Sequence, residues 1–232
     1  ERIIGSHSRG TSADELPNFS RLMTQMIREQ NGGQSISQEE MIAASLDLDM
    51  ARLGESYVES TRGLAGETPN FIDKLPFNYL NVGLIQMALP NAKIVHVTRD
   101  PMDTCYAVFK TLFQRAYPFS YDLDDLGKYF VAYRQLMDHW HMLFSDKMYA
   151  IRYEALVEDP EIESKRLIEY CGLDWEDKLS RFHENEAPST TASASQVRQP
   201  VYRSSVGKWR NYERELFPLS SLLKTANVEI HR

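Results

Sequence analysis

Cysteine is scarce in this sequence, and long apolar runs are absent from it. Only two cysteines occur among the 232 residues, Cys105 and Cys171. Their spacing is neither that of a metal site nor that of a disulfide framework. No apolar run approaches the roughly 20 residues of a membrane-spanning helix, and no signal-peptide pattern is visible. We therefore expect a cytoplasmic protein without a disulfide scaffold or a membrane segment.

Positive charge is also in short supply. The chain has 26 lysines and arginines against 33 aspartates and glutamates, which gives a formal net charge of −7. That balance argues against broad binding to nucleic acid or to acidic membranes, and it leaves room only for a local basic pocket. The remaining composition, 42% hydrophobic and 25% charged, is ordinary for a soluble globular protein.

The apolar periodicity predicts alternating helices and short strands. "ISQEEMIAASLDLDMARLGESYVEST" is read as one helix, opened by a capping box of Ser37 and Glu40. Its apolar face is predicted to contain Met41, Ala44, Leu48, Ala51 and Val58. Other helices are expected near 1–7, 18–30, 78–88, 122–145, 207 onward and 218 onward, and strands at "NFIDKLP", "AKIVHVT" and 148–152. Strands followed by helices predict an α/β fold with a parallel sheet between layers of helices.

The stretch "IVHVTRDPMDTC" combines features of an anion site. Arg99 follows an apolar strand, and the next residues, Asp100 and Pro101, are a good N-cap and a good first helical residue. A cation at the carboxyl end of a strand, beside a helix N-terminus, favours binding of an anion. An ion pair with Asp103 is the alternative role of Arg99, and local sequence favours neither.

Several stretches, in this order, resemble the PAPS-dependent sulfotransferases. They are "SHS…DEL", "FIDKLPFNYLNVGLIQMALPNAKIVHVTRDPMDTC", "IRYEALVEDP" with "LIEYCGLDWED", and "QVRQPVYRSSVGKWRNYE". The likeness is strongest to a bacterial branch that is often fused to tetratricopeptide repeats, and more distant to tyrosylprotein sulfotransferases. It implies a P-loop-type three-layer fold, with a central parallel sheet flanked by helices, in a single domain over 1–232.

The family's phosphate loop is missing from this sequence. No GxxxxGK[ST] or Arg-Ser-Gly-Thr-like stretch occurs, and the chain opens on "ERIIGSHS", which is typical of the tail of a helix. We therefore interpret the domain as N-terminally incomplete, without its first strand and phosphate loop. The alternative is a natural protein that lacks half of its cofactor site.

The resemblance implies transfer of a sulfuryl group from PAPS to a hydroxyl of a peptide, glycan or small molecule, without a metal. Lys74 corresponds to the lysine that neutralises the leaving phosphate, and Glu15 to the general base, whose pKa partial burial would raise. The local alternatives are a solvated lysine and an ordinary acidic turn at Asp14-Glu15, while Asp73 orients the turn. Arg99 corresponds to the arginine that binds the 3′-phosphate.

Further cofactor contacts follow from the same resemblance. Tyr153 is expected against the adenosine, with a role in the core as its alternative. The late segment is expected to fold over the cofactor and to contribute Arg198, Tyr202, Ser205, Lys208 and Trp209, although Trp209 also fits a core anchor. One position departs from the family pattern, because Ala107 stands where a phosphate-binding serine is usual.

Two other functions stay open at this point. The first is a sulfotransferase-like nucleotide-binding or protein-interaction domain without catalysis, which Ala107 and the missing phosphate loop favour. The second is a nucleotide kinase of related topology, which the absence of a Walker-type loop disfavours. His139 and His141 are predicted to lie on different faces of one helix, so they do not form a metal pair.

Overall fold

The computed structural model describes residues 1–64, 66, 68–113, 116–185 and 203–230. The chain divides into two compact units, which we call unit 1 (Glu1–Ile94 and Cys171–Gln199) and unit 2 (Val95–Tyr170 and Pro200–Arg232). The single-domain organisation expected from the sequence stays a prediction. Within the described ranges, no helix has the length and apolar character needed to cross a membrane.

Unit 1 contains five α-helices and a pair of short parallel strands, as far as it is described. Its regular elements are α1 (Arg2–Gly5), β1 (Gly10–Ser12), α2 (Asn18–Gln30), α3 (Gln38–Ser45), α4 (Met50–Thr61), β2 (Asn70–Ile72) and α5 (Val82–Ala88), with 3-10 helices at Pro76–Asn81 and Asp177–Glu184. β1 and β2 are parallel, and Thr11 lies opposite Phe71. The helix predicted over 18–30 is confirmed.

The long helix predicted after Ser37 is wrong, because the structure contains two helices there. The capping box of Ser37 and Glu40 is confirmed at the start of α3, but α3 ends at Ser45. The carboxylate of Asp49 then caps α4 by accepting a hydrogen bond of 3.0 Å from the backbone N–H of Arg52. Aspartate favours such a cap over a helix interior, because its short side chain competes for backbone donors.

The apolar face predicted for that helix is consequently only partly right. Leu48 is buried between the two helices, whereas Val58 on α4 is 45% exposed. The buried residues of α4 are instead Leu53, Gly54, Tyr57 and Thr61. Leu53 and Tyr57 belong to a core whose other members are Phe19, Met26, Ile27, Leu48 and Ala88.

Unit 2 contains the second pair of strands and the longest helix. Its elements are β3 (Ile94–Thr98), α6 (Pro101–Phe109), α7 (Leu123–Leu143), β4 (Met148–Arg152), α8 (Tyr153–Glu158), α9 (Pro160–Tyr170) and α10 (Phe217–Thr225), with 3-10 helices at Pro118–Tyr121, Arg203–Ser205 and Lys208–Tyr212. The strand predicted at 148–152 is confirmed. In the described residues the strands form two sheets, β1 with β2 and β3 with β4, and the helices complete an α/β fold.

The core of unit 2 anchors the late segment of the chain. Trp209 is buried in a cluster whose other members are Met102, Cys105, Leu126, Phe130, Leu216, Leu219 and Leu223. The core role given as an alternative for Trp209 is therefore observed. Burial raises the pKa of the Cys105 thiol to about 12, so this core cysteine stays in the weakly nucleophilic thiol form. Cys171, in contrast, is only partly buried.

Candidate functional site

In unit 1, the two strand ends bring Glu15 and Lys74 together. Parallel strands end at the same edge of a sheet, and this pairing continues past the ends of β1 and β2. The N–H of Ala13 donates to the carbonyl of Ile72 at 2.9 Å, and the N–H of Lys74 donates to the carbonyl of Asp14 at 3.0 Å. The backbone thus places the residues that follow each strand side by side.

The ammonium group of Lys74 donates a hydrogen bond to a carboxylate oxygen of Glu15. A carboxylate oxygen of Glu1 lies 4.0 Å from the same Nζ atom. The side chains of Lys74 and Glu15 are 36% and 40% exposed, so both groups are partly accessible to solvent. The two predicted catalytic groups are therefore direct partners at an open edge of unit 1.

Asp73 holds the turn that carries Lys74, as the sequence suggested. One of its carboxylate oxygens accepts a hydrogen bond of 2.7 Å from the hydroxyl of Tyr57, and the other accepts from the N–H of Leu16 at 3.4 Å. Burial raises the pKa of the Asp73 carboxyl, although these hydrogen bonds oppose the shift. Asp14 has a positive φ of 56°, an uncommon conformation for a non-glycine residue.

In unit 2, Arg99 has the local geometry that the sequence predicted. It follows β3 directly, and Asp100 caps α6 by accepting a hydrogen bond of 3.0 Å from the N–H of Asp103. Pro101 occupies the first turn of the helix, where its missing N–H costs nothing. The guanidinium of Arg99 therefore stands at the N-terminal end of a nine-residue helix.

Three groups surround the guanidinium of Arg99. The ring of Tyr153 lies under it, with 5.1 Å between Cζ and the ring centroid. Nη2 lies 3.9 Å from a carboxylate oxygen of Asp103 and donates a hydrogen bond to the backbone carbonyl of Ser205. The ion pair with Asp103 is thus present, but it leaves Nε buried and without a hydrogen-bond partner among the residues that the structure describes. A buried N–H in this state can donate a hydrogen bond to an anionic oxygen.

Only some of the other predicted cofactor residues lie next to Arg99. Tyr153 and Ser205 contact Arg99, whereas Lys208 is exposed and Trp209 is in the core. The indole N–H of Trp209 has no partner in the described part of the chain. Arg198 and Tyr202 lie outside the described residues. Ala107 is half-buried on α6, where the usual serine would stand.

A group of polar side chains in unit 2 was missed by the sequence analysis. Nδ1 of His96 lies 2.8 Å from Nε2 of His141, and Nε2 of His96 lies 2.5 Å from the hydroxyl oxygen of Tyr133. Desolvation of His96, together with His141 and Arg134, lowers the pKa of His96 to about 4. The three residues come from β3 and α7, and no local spacing links them.

The chain belongs to the sulfotransferase family. A sequence profile of this family, described as "Sulfotransferase family", matches residues 1–177. The structure is also similar to two solved sulfotransferase domains, from the curacin biosynthetic pathway (TM-score 0.57, 13% identity, 99% of this chain and 93% of that one) and from the Synechococcus PCC 7002 olefin synthase (TM-score 0.52, 14% identity, 94% and 96%). Because the sequence identity is this low, these two structures support the assignment of the fold alone.

Two of the three curated relatives described next are named as sulfotransferases. An uncharacterized protein of Aquifex aeolicus is 35% identical over 232 residues, covering 97% of this chain and 30% of that protein. Protein-tyrosine sulfotransferase A of Caenorhabditis elegans is 24% identical, covering 63% and 40%. Omega-hydroxy-beta-dihydromenaquinone-9 sulfotransferase Stf3 of Mycobacterium bovis is 30% identical, covering 48% and 31%. The chain thus spans about a third of the length of the curated relatives that it matches.

Proposed function

We propose that this protein transfers a sulfuryl group from PAPS to an acceptor hydroxyl and releases 3′-phosphoadenosine-5′-phosphate. Family membership supports sulfuryl transfer, and PAPS is the co-substrate that the family resemblance implies. Two relatives are named as sulfotransferases of protein tyrosine and of an omega-hydroxy-dihydromenaquinone. Both carry a hydroxyl group, so we propose a hydroxyl-bearing peptide, glycan or small molecule as the acceptor class.

The observation that carries the proposal is the direct contact between Lys74 and Glu15. Sulfuryl transfer needs a base for the acceptor proton and a cation for the oxygen that leaves. Two residues 59 positions apart in sequence, brought together by adjacent parallel strand ends, supply one group of each kind. The hydrogen bond from the hydroxyl of Tyr57 to Asp73 holds the turn that carries Lys74.

In the proposed reaction the acceptor oxygen attacks sulfur and its proton passes to a carboxylate oxygen of Glu15. The bond between sulfur and the bridging oxygen breaks, and the ammonium of Lys74 donates a hydrogen bond to that oxygen as negative charge develops on it. The contact between the two side chains has to open for this step, because each group then faces a reacting atom instead of its partner. Their partial exposure allows this rearrangement.

The residues around Arg99 fit an anionic group. The unpartnered Nε atom and the N-terminal end of α6 both favour a phosphate oxygen. We propose that Arg99 binds the 3′-phosphate, that Tyr153 contacts the adenosine, and that Ser205 and Lys208 reach the phosphates. As the family resemblance implies, Arg198 and Tyr202 are proposed to contact the nucleotide, whereas the burial of Trp209 favours its alternative role as a core anchor.

Sulfate transfer from radiolabelled PAPS to a panel of phenolic, alcoholic and glycan acceptors tests this proposal. We expect turnover by the full-length protein, and a fall in kcat of about 100-fold or more for Glu15→Gln and Lys74→Met. Lys165→Met is the matched control, because Lys165 also pairs with a carboxylate, Glu161, but on the exposed side of α9. Absence of both turnover and nucleotide binding in the unmodified full-length protein would refute the proposal.

Nucleotide binding without turnover is the second candidate function. It is favoured by Ala107, which lacks the hydroxyl that the family usually places on this helix. The same assay separates the two functions, because a binding module would retain affinity for 3′-phosphoadenosine-5′-phosphate while every acceptor stayed unmodified. In that case Glu15→Gln would leave all measured properties unchanged.

A further inference from the structure

Asp103 connects the start of α6 to the late segment of unit 2. Its side chain is 1% exposed, and it accepts a hydrogen bond of 2.5 Å from the N–H of Gly207 and one of 3.3 Å from the N–H of Trp209. The guanidinium of Arg99 lies 3.9 Å away. One buried carboxylate therefore contacts both the arginine and the backbone that follows Ser205.

These contacts account for a carboxylate in the protein interior. A buried charge is costly unless hydrogen bonds and an opposite charge compensate for it, and Asp103 has both. Gly207 has a φ of 71° and is the N-cap residue of the 3-10 helix Lys208–Tyr212. The two donated N–H groups therefore come from the start of that helix. Asp103 thus caps an element that is 104 residues away in sequence.

We propose that Asp103 is a positioning residue, which fixes the guanidinium of Arg99 and the backbone of residues 205–209 for binding of the nucleotide's 3′-phosphate. This inference rests on the proposed function, because Arg99 is assigned to that phosphate there. Arg99 itself donates to the carbonyl of Ser205. Arg99, Asp103 and the segment 205–209 therefore each contact the other two.

Attachment of the late segment does not depend on Asp103 alone. Trp209 is buried in the same core cluster as Met102, Cys105 and Phe130, and this apolar packing does not involve the carboxylate. What Asp103 adds is the position of two backbone N–H groups and of one guanidinium. Loss of Asp103 is therefore expected to weaken recognition of the 3′-phosphate rather than to unfold the unit.

The test compares two nucleotides that differ only in the 3′-phosphate. Dissociation constants for 3′-phosphoadenosine-5′-phosphate and for adenosine 5′-phosphate are measured by competition for the full chain and for Asp103→Asn. Asparagine presents an NH2 group to one of the two backbone donors, so one hydrogen bond is lost and the guanidinium loses its countercharge. We expect affinity for the 3′-phosphorylated nucleotide to fall about 10- to 100-fold, with a change below about threefold for adenosine 5′-phosphate.

Asp122→Asn is the matched control. Asp122 also accepts two backbone N–H bonds, from Asp124 and Asp125 at the start of α7, and is exposed. The Asp122→Asn variant should leave both dissociation constants unchanged. If Asp103→Asn does not fold, Asp103→Glu is measured instead, since the longer carboxylate keeps the charge but cannot meet both donors in the same way.

Each outcome has a distinct meaning. Unchanged binding of the 3′-phosphorylated nucleotide by Asp103→Asn would overturn the inference alone. Equal weakening of both nucleotides, with a lower free energy of unfolding, would show a purely structural role and would also overturn it. If the unmodified chain binds neither nucleotide, the proposed function fails first and the inference fails with it.

Discussion

The hydroxyl oxygen of Tyr57 lies 2.7 Å from Oδ2 of Asp73, the residue immediately before Lys74. Tyr57 is buried on α4, where its ring packs edge-on against Phe19 at 5.7 Å. Desolvation raises the pKa of the Tyr57 hydroxyl, and the hydrogen bond to Asp73 raises it further. The hydroxyl therefore remains a donor, and it ties the Lys74 turn to the core of unit 1.

We expect Tyr57→Phe to lower the free energy of unfolding by about 1–3 kcal/mol, because a half-buried carboxylate loses its best donor while the ring packing is kept. Urea unfolding at neutral pH measures the change. The control is Tyr121→Phe, at a tyrosine that is 48% exposed, with an expected change within about 0.5 kcal/mol. Equal effects at the two positions would contradict the role given to the Asp73 contact.

Gly54 lets α4 approach α5 closely. A Cβ atom at this position would lie 2.1 Å from the carbonyl oxygen of Ala88, far inside van der Waals contact. Gly54→Ala is therefore expected to destabilise the protein by about 1–3 kcal/mol or more, because the two helices have to separate.

Gly63→Ala provides the comparison for Gly54, because a Cβ atom there meets nothing within 4 Å. In this case, alanine should leave the unfolding free energy unchanged or raise it by up to about 1 kcal/mol, since it restricts the unfolded chain. Thermal unfolding of both variants measures the contrast. A mild effect at Gly54 would mean that the helices tolerate a wider spacing.

Local patterns were sufficient to predict most of the secondary structure. The helix at 18–30, the strand at 148–152 and the start of α6 at Asp100-Pro101 all carry their signals within a few residues. The break between α3 and α4 was missed, because the apolar spacing runs across it while Asp49 acts as a cap only in the folded geometry. Periodicity alone does not distinguish a continuous helix from two helices that share an apolar pattern.

The candidate site was predictable only in its individual residues. The sequence singled out Lys74, Glu15 and Arg99, but it did not predict that Lys74 and Glu15 would contact each other. It gave Asp103 as a possible ion-pair partner and did not reveal its bonds to Gly207 and Trp209. Such contacts join residues more than 50 positions apart, so they depend on tertiary packing rather than on local sequence.

The contact between His96 and His141 leads to a prediction of pH dependence. Desolvation and neighbouring positive charge lower the pKa of His96 to about 4, and desolvation also lowers the pKa of His141. The folded protein thus resists protonation of His96 more than the unfolded chain does, where its pKa is about 6.5. The stability that neutral His96 contributes is present above about pH 6.5 and is lost as the pH falls toward 4.

Titration of the histidine ring protons by NMR measures this shift directly. We expect one resonance, assigned through its loss in His96→Gln, to keep its neutral chemical shift down to about pH 5. Tyr133→Phe removes the hydrogen bond between the Tyr133 hydroxyl and Nε2 of His96. We expect this variant to raise the titration midpoint of His96 toward the ordinary value only if it also exposes the imidazole ring to solvent. A midpoint for His96 near 6.5 in the unmodified protein would contradict the buried geometry.

Ala107 offers the final prediction, because its position on α6 lacks a hydroxyl that the family usually supplies. Ala107 lies one helical turn after Asp103, so the two side chains share a face of the helix. If the proposed 3′-phosphate site is correct, Ala107→Ser adds one neutral donor and is expected to tighten binding of 3′-phosphoadenosine-5′-phosphate about 2- to 10-fold. Ala43→Ser, on the exposed face of α3, is the control and should leave the dissociation constant unchanged. Weaker or equal binding by Ala107→Ser would place the phosphate elsewhere than on this face of α6.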